Sequence, residues 1–239
     1  MNTLWAQPPK IVALTGAALS RESGFAPFAA ADMPPGLGLE EVVTREGFAR
    51  DPERVRGFYN LRRRQLLQTK PNAAHQGLAV LDAVRPREVL IVTGNIDDLH
   101  ERAGSLAVIH LHGELLKARC TICGKASECR DDITAASECP VCGNIGHLRP
   151  AIAWVGEAPH GIDGVYEALA YAALFLVIGA NAAGEPAAGF LAEARRAGAR
   201  TVEFNRTLSS DAETPFDERI AGPLGDTVPE YVKALIARS

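Results

Sequence analysis

The sequence predicts an α/β protein: a parallel sheet with helices on both faces, interrupted by one small metal-binding module. Three observations carry this. Short apolar runs recur at residues 10–16, 88–93, 106–111, 151–155, 174–178 and 201–204, and read as buried strands. Helical patterns lie between them, the alternation that builds a parallel sheet. All five cysteines fall between positions 120 and 142. That clustering suits a metal in a reducing compartment better than disulfides, which would be spread to close long loops.

A chain of 239 residues with 47% hydrophobic content suits one sizeable α/β domain, or one domain with a small insertion, and fills a core without staples. A net charge of −4 and a pI near 5.9 disfavour nucleic acid or an anionic membrane as partner. No apolar run approaches the roughly 20 residues needed to span a bilayer. The N-terminal stretch MNTLWAQPPK has neither the basic n-region nor the apolar h-region of a signal peptide. The expected location is the cytoplasm, and the oligomeric state is left open, a monomer included.

The first strand ends at Gly16 and opens into Ala17-Ala18-Leu19-Ser20-Arg21-Glu22-Ser23-Gly24, a small-residue turn entering a helix. In a nucleotide-binding sheet this is where phosphate is cradled; a ligand-free tight turn reads equally well. Residues 29–38 form a loop. Asp51-Pro52-Glu53 starts a helix, with Asp51 as N-cap, Pro52 at the first helical position and an acid in the first turn. That helix runs through Val55, Phe58, Leu61 and Leu66 to about Gln68, and Tyr59 and Arg62 share one face. Arg45, Arg50, Arg54, Arg56, Arg62, Arg63 and Arg64 make this the basic part of an acidic protein, and Arg63 and Arg64 read as a solvated face. Pro71-Asn72 starts the next helix, 73–84. Further helices are expected at about 163–172, 186–197 and 228–237. In open parallel sheets sites lie at the carboxyl ends of strands. Gly16, Asn95, Asp97, His112, Gly156, Gly179 and Asn205 are all read at such ends, with His110 as packing.

Cys120 and Cys123 are separated by two residues, as are Cys139 and Cys142. Two such pairs close a tetrahedral site on one Zn2+ with no open position for water, so the metal is structural. Cys129 is spare.

The order GAALSRESG (16–24), TGNIDDLHERAGS (93–105), LHGE (111–114), the two CxxC pairs, LRPAIAWVGE (148–157) and an apolar strand ending in Ile178-Gly179 resembles the sirtuins, NAD-dependent protein-lysine deacylases, over nearly the whole chain. Residues 46–65 look like the bacterial class III members, in which a Tyr-x-x-Arg pair, here Tyr59 and Arg62, binds acidic acyl groups such as succinyl and malonyl. The resemblance implies a Rossmann-type domain (1–28, 71–117 and 148–239) and a small helical and zinc-binding domain (29–70 and 118–147), with ligands between them. It implies transfer of an acyl group from protein or peptide lysine to ADP-ribose with release of nicotinamide. His112 would be the general base at the ribose, with Asn95 and Asp97 on the nicotinamide side. NAD would lie along Gly16, Ala17, Ala18, Ser20, Ser23, Phe28, Gly94, Asn95, Ile96, Asp97, Gly179, Ala180, Asn181, Asn205 and Leu224. Substrate would lie along Tyr59, Arg62, Trp154, Val155, Gly156 and Glu157.

Departures from the family pattern fall on the cofactor side. Ala18 replaces the second glycine of Gly-Ala-Gly, Ala29 an arginine, Gly94 a glutamine, and Gly179-Ala180-Asn181 stands for Gly-Thr-Ser. The cofactor loop also lacks its usual Gly-Leu-Trp. Losing several hydrogen bonds at about 1–3 kcal/mol each would cost roughly two to four decades. Two readings therefore compete: an active deacylase, and a catalytically weak or inactive sirtuin-like protein that binds acyl-lysine or nucleotide. A third is an NAD-consuming transferase or hydrolase with another acceptor.

Overall fold

The computed structural model describes residues 7–25, 33, 38–208 and 214–237. The main layer is a six-stranded sheet in the order β3-β2-β1-β7-β8-β9, parallel throughout. Its strands are β1 (Ile11–Thr15), β2 (Val89–Thr93), β3 (Val108–His110), β7 (Leu174–Ile178), β8 (Arg200–Asn205) and β9 (Glu218–Ala221). β1, β2 and β7 are buried at every position, which explains why they read as unbroken apolar runs. Alternate residues feed two cores. Val12, Leu14, Val92, Phe175 and Val177 pack under α7 (Ile162–Leu169) and α8 (Ala187–Arg196). Ala13, Ile91, Leu176 and Ile178 pack under α5 (Ala73–Val84) and α9 (Leu224–Ala237). The strand order reverses at β1, between β2 and β7, so the crevice beyond the carboxyl ends opens beside Gly16.

The second layer is a three-stranded antiparallel sheet, β5-β4-β6, of β4 (Gly113–Cys120), β5 (Ala126–Glu128) and β6 (Leu148–Ile152). This corrects the reading of 151–155 as a strand of the parallel sheet. The strand lies three residues earlier and pairs with β4, because an apolar run does not reveal which sheet it joins. Gly156 accordingly follows β6 and not a parallel strand. Against this layer pack α2 (Leu39–Val42), α3 (Arg45–Arg50) and α4 (Pro52–Gln68), with Val55, Phe58, Tyr59 and Leu66 on Leu115, Leu116 and Trp154. Asp51 caps α4 by accepting from the Arg54 amide at 3.0 Å, as its sequence position predicts.

Two sequence expectations about α4 fail. Leu61 is 55% exposed, outside the core. Arg63 is fully buried, not solvated. Its Nε donates to the Leu115 carbonyl at 3.2 Å and its Nη1 to Asn60 Oδ1 at 2.7 Å. Burial pulls its pKa below the usual guanidinium range. Arg64 stays half-exposed and meets Asp132 at 2.5 Å. Among the described residues, no helix is long and apolar enough to cross a membrane.

Candidate active site

Strand ends and the loops that follow them deliver one side of the site, and helix α4 supplies Tyr59 and Arg62 to the other. β1 ends at Gly16, whose lack of a side chain is a steric need: a Cβ there would lie 2.5 Å from Ala180 Cα and 2.6 Å from the Gly179 carbonyl oxygen. The loop after β2 carries Gly94, Asn95, Ile96 and Asp97. The Asn95 amide donates to Ser20 Oγ at 2.9 Å and to the Gly16 carbonyl at 3.1 Å. Ser20 in turn donates to Asp97 Oδ2 at 2.7 Å. Ser20 lies on α1 (Ala17–Arg21), so these bonds lock the turn after β1 to the loop after β2. Burial pushes the Asp97 carboxyl up, against the Ser20 hydrogen bond, which acts to lower it.

Two cavities open here. The first, of about 400 Å³, is lined by Ala17, Ser20, Gly94, Asn95, Ile96, Asp97 and His112 on one side. Tyr59, Arg62 and residues 152–157 line the other. The second, of about 290 Å³, runs along Gly16, Ala17, Gly94, Asn95 and His112 toward Gly179, Ala180 and Asn181. They share Ala17, Gly94, Asn95 and His112. His112 lies between β3 and β4. Burial lowers its pKa below the ordinary imidazole value, and neighbouring His160 adds to the effect. The ring is therefore neutral and able to accept a proton at pH 7.

On the far wall, the Arg62 guanidinium lies 4.3 Å from the centre of the Phe25 ring and donates to Gln65 at 2.7 Å. Tyr59 is fully buried and donates its hydroxyl to the Val42 carbonyl at 2.8 Å; burial raises its pKa. The Glu157 carboxylate accepts from the Trp154 amide at 3.0 Å, from Arg45 at 2.7 Å and from Arg149 at 3.1 Å. It thereby fixes the turn 154–157. Val155 donates its amide to the Val43 carbonyl at 2.8 Å, while its side chain is 72% exposed at the cavity mouth.

Several sequence-predicted residues lie elsewhere. Ala18 lines neither cavity: its methyl packs against the core that holds Leu19 and Leu224, and its amide donates to the Gly179 carbonyl at 3.1 Å. Leu224 is a core side chain. Ser23 accepts from Asn72 at 3.0 Å, and Asn205 donates to the Ala180 carbonyl at 3.4 Å. Neither Ser23 nor Asn205 lines either cavity. Phe28 and Ala29 lie outside the described residues. The sequence reading passed over Phe25, Val43 and the Gly184–Pro186 side of the second cavity, since a lone apolar residue in a loop carries no local signal.

The four predicted zinc ligands converge. The sulfurs of Cys120, Cys123, Cys139 and Cys142 all lie within 4.8 Å of one another. Cys120 Sγ is 3.7 Å from Cys142 Sγ, and Cys123 Sγ is 3.8 Å from Cys139 Sγ. Four thiolates at tetrahedral edge spacing fit one structural Zn2+. No cysteine lines either cavity, so the four-thiol cluster is separate from both.

A sequence model of the Sir2 family matches residues 16–186. The chain is 48% identical over 234 residues to an NAD-dependent protein deacylase of Yersinia pestis, covering 95% of this chain and 83% of that one. It is 47% identical over 236 residues to one of Escherichia coli K12, covering 96% and 83%. Among solved structures it resembles a Sir2 homologue in complex with NAD, with a TM-score of 0.84 at 33% identity, covering 95% and 89%. It also resembles a Sir2–p53 peptide–NAD+ complex, with a TM-score of 0.76 at 26% identity, covering 97% and 94%.

Proposed function

The chain belongs to the Sir2 family, and from that premise we propose that it is an NAD-dependent protein-lysine deacylase that accepts acidic acyl groups such as succinyl and malonyl. One observation supports this above the rest: two cavities meet at His112 and Asn95, one running to Arg62 and the other to the Gly179 turn. NAD would supply an electrophilic ribose carbon once nicotinamide leaves, and ADP-ribose would be the acyl acceptor, with one water consumed in freeing the lysine amine.

The chain's own residues do the rest. His112, neutral at pH 7, removes a proton from a ribose hydroxyl. Asn95 and Asp97, braced by Ser20, hold the nicotinamide end. Gly16, Ala17, Gly179, Ala180 and Asn181 form the wall for the remainder of the dinucleotide. The substrate main chain runs along Trp154, Val155, Gly156 and Glu157, and its acyl lysine enters the first cavity. Arg62 meets the acyl carboxylate there with a charge-assisted bond, and Tyr59 shapes the pocket beside it. The partner is a protein or peptide bearing acyl-lysine.

The test is to incubate the zinc-loaded protein with NAD and succinyl-, malonyl- and acetyl-lysine peptides, and to follow nicotinamide and deacylated peptide. Both products are expected. Neither appearing at high protein concentration, with the fold intact, would overturn the reading. Replacing Arg62 by methionine removes a charge-assisted bond worth about 1.5–3 kcal/mol. It should lower kcat/KM for the succinyl peptide by roughly 10- to 150-fold while sparing the acetyl peptide. An unchanged ratio of the two would remove Arg62 from acyl selection.

A second reading, binding with slow turnover, is favoured by one position. At Gly94 an added Cβ would meet only the Thr15 carbonyl at 3.8 Å and His112 Cδ2 at 3.9 Å. The space beside the base is therefore open where relatives of this pattern carry an amide side chain. Gly94→Gln restores a neutral hydrogen-bonding group worth about 1 kcal/mol, so nicotinamide release should rise by roughly fivefold. No increase would clear Gly94 of blame for slow turnover.

A further inference from the structure

His110, two residues before His112, reads from the sequence as packing; the structure gives it another task. Its side chain is only 8% exposed. Both ring nitrogens face oxygen acceptors: Nε2 lies 2.7 Å from Glu101 Oε1, and Nδ1 lies 3.2 Å from the Asn95 carbonyl oxygen. A neutral imidazole has one N–H and one lone pair, so it would set a lone pair against one of those oxygens. Only the imidazolium satisfies both. Asn95 is the residue whose side chain lines both cavities and bonds Gly16 and Ser20.

We propose that His110 is a positioning residue of the site: held as an imidazolium by Glu101, it pins the backbone carbonyl of Asn95 and so places the Asn95 amide beside His112. The chain of contacts is Glu101 on α6 (Leu99–Ala103), His110 at the end of β3, Asn95 after β2, then Ser20 on α1. When His110 loses its proton, the remaining N–H stays on the Glu101 carboxylate, the shorter and charge-assisted bond, and the Asn95 carbonyl is released.

The surroundings favour the charged ring. Burial alone would lower the pKa of His110, but the hydrogen bond and charge of Glu101, with Glu114 on β4, raise it above the ordinary value. Asp97 in the loop after β2 also interacts with the ring's charge, while Asp98 is paired with Arg102 at 3.4 Å. Lys117 is drawn onto Glu114 at 2.5 Å, and His100 on α6 is kept neutral by its own burial. His110 and His112 thus titrate on opposite sides of the free imidazole value. His112 must be deprotonated to act and His110 protonated to position. The dependence of turnover on this pair rests on the deacylase reading; the link between His110 and Asn95 does not.

The experiment is an NMR titration of the full-length zinc-loaded protein from pH 5 to 10. It follows the His110 ring, the Ile96 amide nitrogen that shares a peptide group with the Asn95 carbonyl, and the Asn95 side-chain amide. In the wild type all three should move together, with a midpoint above 6.5. Glu101→Gln should lower that common midpoint by about one pH unit, and Glu101→Asp should restore it in part. His110→Asn should abolish the transition at Ile96 and Asn95. Where turnover is measurable, the alkaline limb of kcat/KM should follow the same midpoint in each variant, while the acid limb stays put. A His110 midpoint at or below 6.5, or a titration that leaves Ile96 and Asn95 unmoved, would overturn the proposal. Absence of turnover would count against the deacylase reading alone, since the NMR outcome decides this one without it.

Discussion

Replacing His112 by alanine should reduce kcat for nicotinamide-releasing deacylation by roughly 10²- to 10⁴-fold, the range for loss of a positioned general base. It should leave the fold intact, because the ring is only partly buried and stands between two cavities. The wild-type profile should carry an acid limb below pH 6.5, since burial and His160 lower the pKa of the base. The sign follows from the role: as pH falls through that depressed value the ring takes up a proton and can no longer accept one from the ribose. Single-turnover deacylation across pH, on wild type and H112A, checks both statements. A variant within about threefold of wild type would return the base to some other group.

Removing the metal should produce the second large effect. Structural zinc sites in small modules are worth about 10–16 kcal/mol of binding free energy at neutral pH. Here the four thiols anchor a local core of Cys120, Ile133, Cys139 and Leu148. A helix leans on that core: Arg56 donates to the carbonyls of Leu148 at 3.0 Å and Gly146 at 2.6 Å, and Asn60 bonds Ile133 in both directions at 2.9 Å. Losing even about 5 kcal/mol would lower Tm by roughly 10–20 °C in a protein of this size. Cys139→Ser, whose thiol is buried, should reproduce the effect of a chelator. Differential scanning calorimetry with metal analysis tests this. An unaltered melting curve in protein proven free of zinc would make the ion incidental.

The parallel sheet was legible because β1, β2 and β7 are buried on both faces and are apolar throughout except for the buried threonines Thr15 and Thr93 at two of their carboxyl ends. The zinc ligands were legible because spacing alone brings two thiolates onto one ion. The cleft was legible in outline, since Asn95, Asp97 and His112 do meet beyond strand ends. What stayed hidden depends on partners distant in sequence. β4 reads as a mixed run, GELLKARC, and its strand character comes from pairing with β6. Arg63 carries a charge that any local rule sends to water, and only the Leu115 carbonyl and Asn60 explain its burial. His110 fits alternation as a packing residue, yet Glu101 and the Asn95 backbone each face one of its ring nitrogens. Ala18 stands where the family pattern has a glycine, and local sequence does not show that its methyl packs against the core.

The order of the strands bears on when the cleft comes into being. β1 is flanked by β2 and by β7, so the second ladder of its pairing joins Ile11 to Leu174. A ribosome adding about 5–20 residues per second needs on the order of 10–30 s to travel from one to the other. During that interval the segment carrying Gly16 and Ser20 has one neighbour in place and lacks Gly179, against which it will close. The four cysteines and the cavity wall at residues 152–157 are therefore synthesised before the wall at Gly179, Ala180 and Asn181. The catalytic groove is a late product of synthesis, assembled from the oldest and some of the newest parts of the polypeptide.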